Sequence, residues 1–267
     1  MSNDHSGEIP LQGGNVSSVV RIGDTVHRTA GPWSATIHRL LIHARSRGAT
    51  GVPQPLGFDE IGREVLAFIP GQIPHDQPDW LWTEETLSSA ASMLRRWHDA
   101  TTGFPTEGTV WGFPYHQPAE TICHNDFAPY NTVFLNRKLV GLIDFDFCAP
   151  GPRIRDLAWA AYRFVPYQPS KEDQSDDNQQ ERSPFDRSTT VKRLDRFIGA
   201  YQGGNPLPGI TPLSVRQAMV PRLLEIADWT ENHVLVSGKQ ELAAHARMYR
   251  AHATWIRNKR LSRCQLS

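Results

Sequence analysis

His124-Asn125-Asp126-Phe127-Ala128-Pro129-Tyr130-Asn131, and Asp144 thirteen positions later within Leu142-Ile143-Asp144-Phe145-Asp146-Phe147, decide how this chain is read. An acid and an amide lie five apart on a Pro-containing segment, and a second acid follows at the end of an apolar run. Between them, residues 131–135 and 139–143 read as short strands, joined by the polar turn Asn136-Arg137-Lys138. The order is loop, hairpin, acid. Asp144, ending a buried strand, is expected to be held by the sheet and pointed out of the core.

Asp126 is of a type that takes a proton from an alcohol within hydrogen-bond reach. Asn131 and Asp144 offer one neutral and one charged oxygen. Both are hard ligands that suit Mg²⁺ when phosphate oxygens and water complete its shell. Such a set fits phosphoryl transfer, which asks a protein mainly for positioning and charge neutralisation. Each residue alone has an ordinary explanation, since an Asp near a Pro is commonly a turn residue and one after a strand commonly a cap. Their order and spacing together argue for a site.

The His-x-Asp-x-x-x-x-Asn pattern at 124–131, followed by Ile143-Asp144-Phe145, is similar to the catalytic and metal segments of the aminoglycoside phosphotransferase and choline kinase group. Gly151-Pro152-Arg153-Ile154-Arg155-Asp156-Leu157-Ala158 resembles the segment that follows in that family, commonly Gly-Asp-Pro-x-x-Asp-Leu-Ala. The likeness is strong over 121–162 and looser over 13–98. It implies an α+β, protein-kinase-like bilobal fold. A small antiparallel-sheet N-lobe, 1–70, would bind nucleotide; a larger, mainly helical C-lobe, 71–267, would carry the catalytic loop, the metal segment and substrate-binding helices. The resemblance further implies Asp126 as catalytic base and Asn131 and Asp144 as Mg²⁺ ligands. Asp156 would tie the metal segment to the catalytic loop, and His124 would shape that loop. ATP is the implied donor and a small-molecule hydroxyl the acceptor. An aminoglycoside-like compound comes first, with choline, a sugar, homoserine or a macrolide as alternatives.

Gly13-Gly14 precedes a strand candidate at 16–22, and Gly23-Asp24 is a strong hairpin turn into a second strand at 25–29. A Gly-rich turn lets backbone approach phosphate closely. No Gly-Lys-Ser or Gly-Lys-Thr follows, so this is not a P-loop. In the resembled fold the next strand carries a Lys that holds phosphates and pairs with a Glu on the following helix. Here Arg28 takes that place, and the helix candidate 34–44 contains no acid at all. Arg can still grip phosphate bidentately, and its orientation is expected to come from elsewhere. Residues 64–71 read as a buried strand ended by Pro70-Gly71, and the resemblance places backbone around Ala67 and Ile69 against the adenine edge.

Thr83 is a good N-cap for a helix whose apolar face is Leu87, Ala91, Leu94 and Trp97. Residues 171–187 are polar, acid-rich and nearly free of apolar groups, which reads as a solvated loop. Three helical stretches follow at 190–201, 214–233 and 240–257. Glu225, Asp228 and Glu231 fall three apart along the second. Glu225 and Asp228 are candidate contacts for a cationic acceptor, against a plain solvated face.

The 267 residues suffice for one or two domains, and Lys plus Arg balance Asp plus Glu at 28 each. No global charge drives the chain onto nucleic acid or a membrane. Three scattered cysteines do not make a disulfide framework and fit a reducing, cytoplasmic setting. A monomer is expected. Two other readings stand beside the kinase: a pseudokinase scaffold, motivated by Arg28 lacking an acidic partner, and a metal-dependent phosphohydrolase using Asp126, Asp144 and Asp146.

Overall fold

The structure, a computed structural model, describes residues 7–11, 19–170 and 183–258. Gly13, Gly14 and most of the acidic 171–187 stretch lie outside the described residues.

The N-terminal region is built on strands β1 (Glu8–Pro10), β2 (Val19–Ile22) and β3 (Thr25–Arg28), helix α1 (Ser34–Ser46), and strands β4 (Pro55–Phe58) and β5 (Glu64–Ala67). The strands form one antiparallel sheet in the order β1-β2-β3-β5-β4. β2 turns into β3 at Gly23, whose φ of 58° needs no Cβ penalty. The functional consequence lies in the pairing of β3 with β5, which sets Arg28 directly opposite Glu64. Helix α1 buries Ile37, Leu40, Leu41 and Ala44, an i, i+3, i+4, i+7 stripe.

Helix α2 (Glu84–Thr101) starts where Thr83 Oγ1 accepts from Thr86 N at 3.3 Å. Its expected face, Leu87, Ala91, Leu94 and Trp97, is buried. Strands β6 (Thr121–Cys123), β7 (Thr132–Leu135), β8 (Lys138–Leu142) and β9 (Ala149–Gly151) follow. They make two separate ladders, β6 with β9 and β7 with β8. The β7–β8 turn puts Asn136 and Arg137 at φ 51° and 63°, as a two-residue hairpin turn requires. The sequence had not marked β1, β4, β6 or β9.

Among the described residues, four α-helices follow: α3 (Arg153–Phe164), α4 (Arg187–Gln202), α5 (Pro212–Ser237) and α6 (Ala243–Asn258). Trp159, Tyr162 and Phe164 of α3 are buried, as their helical spacing predicts for core residues. α5 opens on a capping box between Thr211 and Ser214 and continues through Pro221. α5 and α6 pack along each other.

The antiparallel-sheet N-terminal region and helical C-terminal region make the fold α+β. The chain forms two compact units, one of Met1–Leu81 and Met93–Arg153, the other of Trp82–Ser92 and Ile154–Ser267. Residue 70, the expected lobe boundary, falls inside the first unit, where Gln72 and Phe134 exchange backbone hydrogen bonds of 2.8 Å. Among the described residues, no helix is long and apolar enough to cross a membrane.

Candidate active site

The two ladders explain why the loop 124–131 and the segment 143–148 lie side by side. The loop 124–131 leaves β6 and enters β7; the segment 143–148 leaves β8 and enters β9. β6 pairs with β9 through Cys123 and Ala149, and β7 pairs with β8 through Thr132 and Leu142. Both segments are thus clamped at both ends. Ile143 N donates to Asn131 O at 3.0 Å, and Asn125 Nδ2 to Phe147 O at 2.9 Å.

His124 is fully buried within this clamp. Asp126 N reaches its Nδ1 at 3.3 Å, so Nε2 carries the proton and donates to Ile143 O at 3.1 Å. Asn125 and Asp144 both adopt left-handed backbone, at φ 64° and 62°. Non-glycine residues adopt this conformation at a cost of order 1–2 kcal/mol each, which the surrounding bonds must offset.

Asp126 is half-buried, and both its carboxylate oxygens are engaged. Tyr130 donates its hydroxyl to Oδ1 at 2.6 Å, and Asn131 Nδ2 donates to Oδ2 at 2.8 Å. The same Nδ2 donates to Asp126 O at 2.9 Å. With its nitrogen committed as a donor, Asn131 keeps its Oδ1 as an acceptor. The turn Pro129–Asn131 is a single 3₁₀ turn, and it folds Tyr130 back over Asp126.

Arg28 is the centre of a charge cluster in the same unit. Its Nε lies 2.8 Å from Glu64 Oε2, its Nη1 donates to Asp144 Oδ1 at 3.4 Å, and its Nη2 contacts Asp146 Oδ1. Burial opposes the guanidinium charge, but Asp146, Asp144 and Glu64 outweigh it and hold Arg28 above its ordinary value. Burial also pushes the Asp146 carboxyl up, aided by the like charge of Asp144 and countered by Arg28. Trp33 Nε1 donates to Asp146 at 2.9 Å. Gly112 lies so close that a Cβ there would sit 2.0 Å from Asp146 O.

The absent acid on α1 therefore does not leave Arg28 without a partner. The acid comes from β5, as Glu64, and α1 contributes His38, whose Nε2 lies 3.0 Å from Glu64 Oε1. Sequence reading had marked the strand that carries Glu64 but not its pairing with β3. Tyr130, Glu64, His38, Trp33 and Gly112 were all missed as parts of the site.

Ala67 N donates to Gln54 O at 2.8 Å within the sheet, and Ile69 follows β5 and lies against Gly141. In the second unit, Asp156 is fully buried in the first turn of α3. Glu225 accepts from Arg222 at 2.9 Å and pairs with Arg155. Asp228 accepts from Arg250 at 2.6 Å.

No group of three or more His, Cys, Asp or Glu side chains among the described residues could cage a metal. Asn131 Oδ1 and the partly exposed Asp144 are a sparse hard-oxygen pair. That fits Mg²⁺, which is commonly held by one or two carboxylates together with substrate phosphates rather than by an all-protein cage.

Residues 113–189 match the model of the phosphotransferase enzyme family. The trifolitoxin immunity protein of Rhizobium leguminosarum bv. trifolii is 40% identical over 162 residues, 58% of this chain and 61% of that protein. The match thus spans about three-fifths of that relative's length. A choline/ethanolamine kinase family protein from Mesorhizobium loti superposes with a TM-score of 0.65 at 16% identity, covering 96% of this chain and 90% of its own. The GDP complex of an aminoglycoside 2'-phosphotransferase-IIIa mutant gives 0.62 at 10% identity, covering 94% and 92%. Residues 113–189, with Asp126, Asn131, Asp144 and Asp156 among them, carry the pattern of the phosphotransferase enzyme family, and the chain shares the fold of choline kinases and aminoglycoside phosphotransferases.

Proposed function

We propose that this protein is a small-molecule kinase that moves the γ-phosphoryl group of ATP to a hydroxyl of its acceptor. The observation that carries this is the Asp126 carboxylate, fixed at both oxygens by Tyr130 and Asn131 inside a loop clamped to the residues that flank Asp144. An acceptor hydroxyl placed against Asp126 gives its proton to the carboxylate as its oxygen bonds the γ-phosphorus and ADP leaves. Asn131 Oδ1 and Asp144 would hold Mg²⁺, which would supply charge neutralisation for the phosphates. Arg28 adds a fixed positive charge at the same place. The 1–70 segment grips the nucleotide, with Gly13, Gly14 and the backbone of Ala67 and Ile69 as its contacts. Asp156 and His124 support the loop. We place the protein in the cytoplasm as a monomer.

The acceptor is most economically an aminoglycoside-like cation, with choline, sugars, homoserine and macrolides as the alternatives. Glu225 and Asp228 serve such a cation only where it displaces their arginines. The motive for a pseudokinase, an Arg28 lacking an acid, is removed by Glu64. A phosphohydrolase needs a denser ligand cluster than the described residues provide.

The name of the 40% identical relative supports a second layer to this reading. Immunity to a toxin and phosphotransfer are one function if the phosphorylated hydroxyl belongs to the toxin.

The test is a mass-spectrometric screen with Mg-ATP and hydroxyl compounds spanning aminoglycosides, amino alcohols and sugars. A gain of about 80 daltons marks each phosphoryl group added. Asp126→Ala should abolish the gain and keep the circular-dichroism spectrum. Full turnover in that variant removes Asp126 from the role of base.

A further inference from the structure

We propose that Glu64, backed by His38, is the positioning residue that sets Arg28 for the phosphate tail of the nucleotide, so that the charge anchor of this site sits on a strand and not on helix α1. This rests on the kinase reading above and concerns residues that the family pattern at 113–189 does not include.

The geometry divides the guanidinium into two edges. Glu64 stands against Nε as an ion pair at 2.8 Å from the β5 side, through the register that sets residue 64 opposite residue 28. Both terminal nitrogens are thereby turned toward Asp144 and Asp146, where the metal and phosphates are expected. A lysine ammonium is a compact point charge with three freely rotating donors, whereas the planar fork of arginine spreads its nitrogens in fixed directions and so meets carboxylates on separate sides at set positions. The replacement of Lys by Arg and the move of the acid from helix to strand are therefore one change.

Glu64 is 2% exposed, so its charge depends on close partners. Arg28 is one. His38 is the other, reaching the second oxygen from α1 while its ring stacks on Phe58 of β4 at 5.0 Å between centroids. α1 still braces the anchor, but with a ring nitrogen in place of a carboxylate.

The experiment measures calorimetric binding of AMP-PNP and of adenosine to the full chain at fixed Mg²⁺. Adenosine lacks phosphates and reports the base site alone. Glu64→Gln should weaken AMP-PNP about tenfold, the scale of one charge-assisted contact, and leave adenosine binding unchanged. His38→Glu in the Glu64→Gln background should recover part of the loss, because it returns a carboxylate to the same cluster. AMP-PNP bound by Glu64→Gln at wild-type affinity overturns the proposal, and a double variant no better than the single one removes His38 from it. Should Glu64→Gln fail to fold, Glu64→Asp keeps the charge and shortens its reach. It should weaken AMP-PNP at least about threefold, and wild-type affinity there overturns the proposal equally. Wild-type protein that binds neither ligand sinks the kinase reading itself.

Discussion

The Tyr130 hydroxyl donates to Oδ1 of Asp126 at 2.6 Å, and Asn131 holds the other oxygen, so the carboxylate cannot rotate freely. Tyr130 stands one residue from Asn131, the proposed Mg²⁺ ligand, and belongs to the same turn. Tyr130→Phe keeps the ring and removes only the donor. A charge-assisted bond of this kind contributes about 1.5–3 kcal/mol, and part of it goes into aiming Asp126, the proposed base. The expected result is a fall in kcat of about tenfold with the KM for ATP unchanged, read by steady-state kinetics. Unchanged kcat would mean the hydroxyl only packs.

Metal dependence should follow Asp144. Chelation by excess EDTA should stop turnover and be reversed by added Mg²⁺. Asp144→Ala removes the proposed charged ligand and should lower kcat by about 10³, as losing a charge stabiliser at a reacting phosphate does. The same variant should also release Arg28 from one of its three carboxylates. Wild-type Mg²⁺ dependence in Asp144→Ala would assign the metal to other groups, with Asp146 the first to test.

What could be read from the sequence was local. The hairpin between Asn131 and Asp144 was legible because its residue types and spacing fit two short strands, and it forms as β7 into β8, with Lys138 in the second strand where the reading had it in the turn. The helices were legible from apolar periodicity, as Leu87, Ala91, Leu94 and Trp97 show. Glu64 was not, because its role depends on β3 pairing with β5 across the whole of α1 and β4, and nothing local marks that choice. The strands β6 and β9 are three residues each, too short to carry an alternating pattern. Tyr130 was in plain view within the motif, yet its contact with Asp126 arises only from the 3₁₀ turn at Pro129–Asn131.

Gly112 lies in a stretch without periodicity, and its importance is steric. A Cβ at this position would meet Asp146 O at 2.0 Å and the Trp33 ring at 3.2 Å. Backbone must shift to admit it, and the backbone in question belongs to the segment that carries Asp144. Gly112→Ala should therefore cost about 2 kcal/mol of stability, typical of overpacking. It should also lower kcat by more than about tenfold, since small displacements of reacting groups are expensive. Urea unfolding and steady-state kinetics measure the two effects on one preparation. A neutral result in both would show that the 111–113 segment gives way without moving the metal segment.

Glu225 decides between substrate contact and internal support in the second unit. It lies between Arg222 and Arg155, and Arg222 is 2% exposed. Burial and the neighbouring Arg155 already pull Arg222 below its ordinary value, with Glu225 and Asp156 opposing them. Removing the carboxylate leaves a buried charge short of compensation, a loss of about 3 kcal/mol. Burial also works against the charge on Glu225, but Arg155 and Arg222 outweigh it and hold its carboxyl below the ordinary range. A depressed carboxyl contributes stability that is fully present above its unfolded value and is lost as pH falls through the folded one. Glu225→Gln should thus be destabilised by urea titration at pH 7, and its gap from wild type should narrow as pH falls below the ordinary carboxylate range and wild-type Glu225 itself takes up a proton. A variant of wild-type stability whose KM rises for a cationic acceptor alone would instead place Glu225 against the substrate.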